Sequence, residues 1–132
     1  MQPEQKQLCG HKDALEKTIL IVEDDECIGE MLVEALSLET PYKALLVSDG
    51  FQALGVVQHM KPDLFITDYR LPRMNGIELY DRLSHTDDLA DTPTIIMSAY
   101  LPVGEVKKRH LIGLNKPFDV DELLETVEKL IK

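Results

Sequence analysis

Five short apolar runs, each separated from the next by helical periodicity, constrain this chain more than any other feature. They are 18–22 (TILIV), 43–47 (KALLV), 63–67 (DLFIT), 94–97 (TIIM) and 111–114 (LIGL). They are dense in Ile, Leu, Val and Phe and alternate little with polar residues, which is how strands covered on both faces read. Between them, apolar residues recur at helical spacing. Ile28, Met31, Leu32, Ala35 and Leu36 form one stripe, with Glu26, Glu30 and Glu34 on another face. Ala53, Leu54, Val57 and Met60 form a second, Ile77, Tyr80 and Leu83 a third, and Val120, Leu123, Leu124, Val127 and Ile131 the last. Strand and helix in alternation imply an α/β fold, a parallel sheet with helices on both faces. The chain has 132 residues, 44% of them hydrophobic, which suits one domain with its own core.

In sheets of this kind ligands bind beyond the carboxyl ends of the strands, where the strand order switches. The residues at those ends therefore matter most. Glu23 and Asp24 follow the first run, with Asp25 just after; Asp68 follows the third, Ser98 the fourth, and Lys116, Pro117 and Phe118 the fifth. Ser48 and Asp49 follow the second run and are expected to lie apart. Three carboxylates, a hydroxyl and an ammonium thus converge on one edge. Clustered carboxylates repel one another unless a proton or a cation sits among them. Hard oxygen donors suit Mg²⁺, which takes one or two carboxylates together with water and a phosphate oxygen. Asp24 and Asp68 are the expected direct ligands, Glu23 is expected to act through water, and the backbone carbonyl of Arg70 completes the protein's share. Asp68 is then a candidate nucleophile toward phosphorus, since carboxylates form aspartyl phosphates. Lys116 and the Ser98 hydroxyl would neutralise the equatorial oxygens. Ala99 leaves room for a donor, Pro72 and Gly76 shape the loop behind Asp68, and Asn75 is placed to cap the helix that opens near Ile77. Asp25 reads as an acid favouring a helix start.

Four stretches, ILIVEDDE, DLFITDYRLPRMNGIEL, IIMSAY and NKPF, occur in this order at the predicted strand ends. Together they resemble the receiver domain of two-component response regulators over residues 18–132, with residues 1–17 as an N-terminal extension, helical at most. The resemblance implies a flavodoxin-like doubly wound sheet of five parallel strands in the order 2-1-3-4-5. It implies Asp68 as phosphoacceptor, Glu23 and Asp24 as the acidic pair, Ser98 as the switch hydroxyl and Lys116 as the partner lysine, with Mg²⁺ as cofactor. It also implies a cis Lys116–Pro117 bond. A sensor histidine kinase or a histidine phosphotransfer protein would be the donor and an unknown protein the output partner. The chemistry would be limited to phosphorylation and dephosphorylation of the chain itself.

Two positions depart from that family's pattern. The residue three before the lysine, usually Tyr or Phe, is Gly113. Tyr100 is the nearby aromatic expected to stand in for it. The crossover between the last two strands has only twelve residues, Ala99 to His110, and includes Pro102 and Gly104. A crossover with its helix needs at least about 10–12 residues. The fourth helix is therefore expected to be short or irregular, and a standard symmetric dimer through it is not expected.

Other classes fit less well. A formal net charge of −10 disfavours direct nucleic-acid binding. No apolar run approaches the length of a membrane span. The polar N-terminus lacks the hydrophobic stretch of a secretory signal, so a cytoplasmic address is expected. Cys9 and Cys27 have no metal-ligand spacing and read as reduced thiols. His11, His59, His85 and His110 sit in no catalytic context, and the run KKRH at 107–110 reads as a solvated face. A Mg²⁺-dependent phosphohydrolase would place a second acid two residues after Asp68, where Arg70 stands. The alternative worth keeping is a receiver fold that has lost the switch and serves as a phosphorylation-independent binding module.

Overall fold

The computed structural model describes residues 17–86 and 89–131; the expected extension, with Cys9 and His11, lies outside them apart from Lys17. The strands are β1 (Thr18–Val22), β2 (Lys43–Val47), β3 (Leu64–Asp68), β4 (Thr94–Ser98) and β5 (Ile112–Asn115). The helices are α1 (Glu26–Glu39), α2 (Gly50–Val56), α3 (Gly76–Ser84), α4 (Val103–Lys108) and α5 (Val120–Leu130). The sheet runs β2-β1-β3-β4-β5, every neighbour parallel. This is the expected flavodoxin-like order.

Period-two geometry divides each strand's side chains between two cores. Ile19, Ile21, Ile66, Ile95 and Met97 pack with Leu32 and Leu36 of α1 and Leu123 and Val127 of α5. Leu20, Val22 and Phe65 face the other way, toward Ala53 of α2 and Leu79 and Leu83 of α3. A smaller cluster, Ile77, Ile96 and Val106, lies under α4 with Tyr69, Leu101 and Leu111.

Strand ends differ slightly from the apolar runs. Asp68 pairs with Met97 and Ser98 with Asn115. A ladder is made by backbone groups, so it continues past the last apolar side chain into polar residues. At the other end of β5, Leu111 is withdrawn because its N–H donates to the Val106 carbonyl at the end of α4.

Helix starts follow the polar residues before them. The side chain of Asp25 accepts from Ile28 N at 3.1 Å, and that of Asp49 from Gln52 N at 2.8 Å. Asn75 and Glu78 form a reciprocal capping box at α3. α4 has no such device: its N-cap is Pro102, and it is six residues long, short as expected. It closes on His110, at φ 58°, with Leu111 N bonded to Val106 O and His110 N to Lys107 O. That is a Schellman ending on a residue other than glycine. Among the described residues, no helix is long and apolar enough to cross a membrane.

Candidate functional site

β1, β3 and β5 deliver their polar residues to one corner because parallel strands in register end together. Glu23 leaves β1 with its N–H bonded to Val47 O at 3.0 Å and its side chain buried. Its Oε2 accepts from Asp25 N at 3.1 Å, and its Oε1 lies 3.3 Å from Lys116 Nζ. Asp68 closes β3, also buried, with Oδ1 2.9 Å from the same ammonium. Asp24 lies beside them, exposed. One carboxylate oxygen from each of Glu23, Asp24 and Asp68 falls within 4.8 Å of the others.

The electrostatics follow from that crowding. Burial pushes the Glu23 carboxyl above its ordinary value; the Asp25 amide and Lys116 oppose this and the Asp68 charge adds to it. Burial likewise raises Asp68, and hydrogen bonding and charge from Lys116 only partly offset it. Lys116 itself is depressed by burial, but the two carboxylates outweigh that and hold it above the usual lysine value. The site is thus a place where negative charge is costly and a further cation would be favourable. The donors fit a hard divalent ion. Oxygens sharing an octahedral Mg²⁺ stand roughly 3–4 Å apart, so this cluster needs only slight closure or one intervening water. Glu23 already spends both oxygens on Asp25 N–H and Lys116, which suits contact through water better than direct ligation.

The family model for the response regulator receiver domain matches residues 19–128. This chain belongs to that family. It is 33% identical over 121 residues to sporulation initiation phosphotransferase F of Bacillus subtilis, covering 89% of this chain and 95% of that one. The chemotaxis response regulator CheY4 of Vibrio cholerae superposes with a TM-score of 0.80 at 27% identity, over 87% of this chain and 98% of the other. The receiver domain of the sensor histidine kinase PA1611 from Pseudomonas aeruginosa, solved with a magnesium ion in its active-site cleft, matches at TM-score 0.75 and 26% identity, over 88% and 98%. Against the response regulators MprA of mycobacteria the chain spans about half of their length.

In this receiver domain Ser98 closes β4, buried, and its carbonyl accepts from Lys116 N at 2.9 Å. Its Oγ accepts from Tyr100 N at 3.1 Å, so the hydroxyl also shapes the turn after β4. The Lys116–Pro117 bond is cis, as expected. Behind Asp68 the loop doubles back: Gly76 N donates to Tyr69 O at 2.8 Å, and Tyr69 N to Met97 O at 2.8 Å. A β-carbon on Gly76 would stand 2.6 Å from the Asp68 carbonyl oxygen, so only glycine fits. Arg70 is exposed at the head of this loop. Asp49 stays apart, capping α2 and pairing with Arg73 at 3.1 Å.

Three features were not anticipated. Beside Lys116, an open apolar cleft of about 360 Å³ is lined by Ile28, Met31, Ala99, Pro117 and Phe118. Ile28 and Met31 belong to the apolar stripe of α1, yet Met31 is 44% exposed. Tyr100 does not replace the missing ring: it is 84% exposed. Leu101 takes that space instead, its Cδ1 2.8 Å from where a β-carbon of Gly113 would lie. Finally, Lys107, Lys108 and His110 of the KKRH run are exposed as expected, but Arg109 is partly buried. It holds Asp81 of α3 through Nε at 2.7 Å and Nη2 at 2.8 Å, and Glu105 of α4 through Nη1 at 2.6 Å. That guanidinium draws Asp81 and Glu105 below their ordinary values.

Proposed function

We propose that Asp68 is the phosphoacceptor of this receiver domain and that its phosphorylation switches contacts with an output protein. The observation that carries this is the buried Asp68 carboxylate, shared between Lys116 and two further acids at the strand ends. A sensor histidine kinase or a histidine phosphotransfer protein would supply the phosphoryl group. An Asp68 oxygen attacks the phosphorus of a phosphoimidazole; the O–P bond forms, and the P–N bond breaks with its electron pair passing to the ring nitrogen. Lys116 and the Ser98 hydroxyl receive the charge on the equatorial oxygens. Asp24, Asp68 and the Arg70 carbonyl would hold Mg²⁺ directly and Glu23 through water; the bound ion would neutralise one equatorial oxygen. The apolar cleft between Ile28, Met31 and Phe118 adjoins Lys116 and offers a donor helix an apolar seat. Residues 18–132 form the receiver unit and 1–17 an extension, in a cytoplasmic protein with no turnover of external substrates.

The test is incubation with acetyl phosphate and Mg²⁺, read by intact mass. Wild type gains one phosphoryl group and Asp68→Asn gains none; an adduct on the variant removes the assignment. Gly113 favours a second reading, a phosphorylation-independent binding module. Indifference of the protein to Mg²⁺ in calorimetry would select it.

A further inference from the structure

We propose that Leu101 relays the state of Asp68 to α4, seated against Gly113 where other receivers carry a ring; this rests on Asp68 being the phosphoacceptor. Gly113 leaves bare backbone on β5. A β-carbon there would meet Leu101 Cδ1 at 2.8 Å, Cδ2 at 3.3 Å and Cγ at 3.6 Å. The leucine therefore occupies the volume that any side chain at 113 would claim. With Tyr69 and Leu111 it packs against the small cluster of Ile77, Ile96 and Val106, the last of these the buried residue of α4. Leu101 thus lies against Gly113 of β5 and belongs to the same small core in which α4 buries Val106. It also stands three residues after Ser98, on a turn that Ser98 itself holds by accepting from Tyr100 N. Tyr100 projects into solvent and makes no competing relay.

A phosphoryl group on Asp68 gives the Ser98 hydroxyl a doubly charged acceptor. When Ser98 turns toward it, the Tyr100 N–H loses its partner and the turn loosens. Leu101 then leaves its seat, and Val106 follows with α4. Ring motion on β5 is replaced by motion of an aliphatic side chain within the turn. Linkage requires the reverse as well: a change that unseats Leu101 favours the modified state of Asp68.

Gly113→Ala is the sharpest probe, because the new methyl meets only the flexible end of Leu101 and threatens no backbone. Wild type, Gly113→Ala, Leu101→Ala and the double variant are compared by beryllofluoride titration with Mg²⁺ and by amide exchange over residues 99–108. Adduct formation with acetyl phosphate is checked by mass. In wild type, beryllofluoride speeds exchange at Leu101 to Val106. In Gly113→Ala that exchange is already fast, and beryllofluoride binds about five-fold tighter. Leu101→Ala shifts affinity the same way, and the double variant shows no further gain, as expected for residues acting as one unit. A purely structural role moves stability but not beryllofluoride affinity. An adduct on wild type with unchanged exchange at 101–106, or wild-type affinity in Gly113→Ala, overturns the relay alone. No adduct on wild type overturns the phosphoacceptor assignment and the relay with it.

Discussion

The acidic corner and the α4 face both draw on β4 and β5, yet they are built by different means. At the corner, Glu23, Asp68, Ser98 and Lys116 each stand at or just past the end of a strand, and each has backbone or charged partners within 3.3 Å. Across from it, α4 has six residues and no side-chain cap at its start. Its one buried residue, Val106, packs in the small cluster with Ile77, Ile96, Leu101 and Leu111, and Arg109 ties its end to Asp81 and Glu105. Phosphoryl chemistry demands charges fixed in place, and only a ladder fixes them that well. Relaying a signal demands only that a volume be filled in one state and vacated in the other. That task can pass from a strand to a neighbouring loop, and the proposed relay through Leu101 needs no ring on β5.

Substitutions can break this division of labour. Asp68→Asn should have the largest effect, because it removes the adduct altogether while stabilising the metal-free fold. Folding raises the Asp68 carboxyl, so the native state binds a proton more tightly than the unfolded chain, and stability falls as pH rises from 3.8 through the raised native value. Above that window Asp68→Asn should exceed wild type in urea denaturation without metal. The gap should close as pH falls through it, and Mg²⁺ should favour wild type. A wild type that is more stable without metal at neutral pH would contradict the charge crowding. Lys116→Ala comes next. It leaves two buried carboxylates without their cation and should cost about 2 kcal/mol in metal-free buffer, much of it restored by Mg²⁺. Thermal melts with and without the ion decide this.

Arg109→Met addresses the other side of the comparison. Asp81 is partly exposed and Glu105 exposed, so the loss of stability should be small and smaller still in high salt. Amide exchange in α4 should quicken while the adduct yield with acetyl phosphate stays at the wild-type level. A fall in yield would show that the two regions are not separable. The smallest effect is expected from His110→Gly. Relief of the left-handed strain at φ 58° should outweigh glycine's extra chain entropy by about 0.5 kcal/mol, raising the urea midpoint slightly.

Much of the acidic corner was legible in the sequence, because its signals are local. Buried parallel strands read as unbroken apolar runs, their ends mark the site, and Asp25 and Asn75 announce helices through bonds to residues three along. Little of the α4 face was legible beyond its shortness. Arg109 sits in a basic run that looks solvated, and its partner Asp81 is 28 residues away. Leu101 is an ordinary loop leucine until Gly113, on another element, leaves it a seat. Met31 shares the periodicity of Leu32 and Leu36 but overlooks a cleft. Such contacts are set by how elements pack, and no spacing along the chain records them.

Gly76 offers a way to disable this protein from behind. One methyl group there would collide with the peptide of Asp68, the proposed acceptor, and should tilt its carboxylate. Every ionisable group would remain, so the corner would look complete by composition and charge while the proposed phosphorylation should fail.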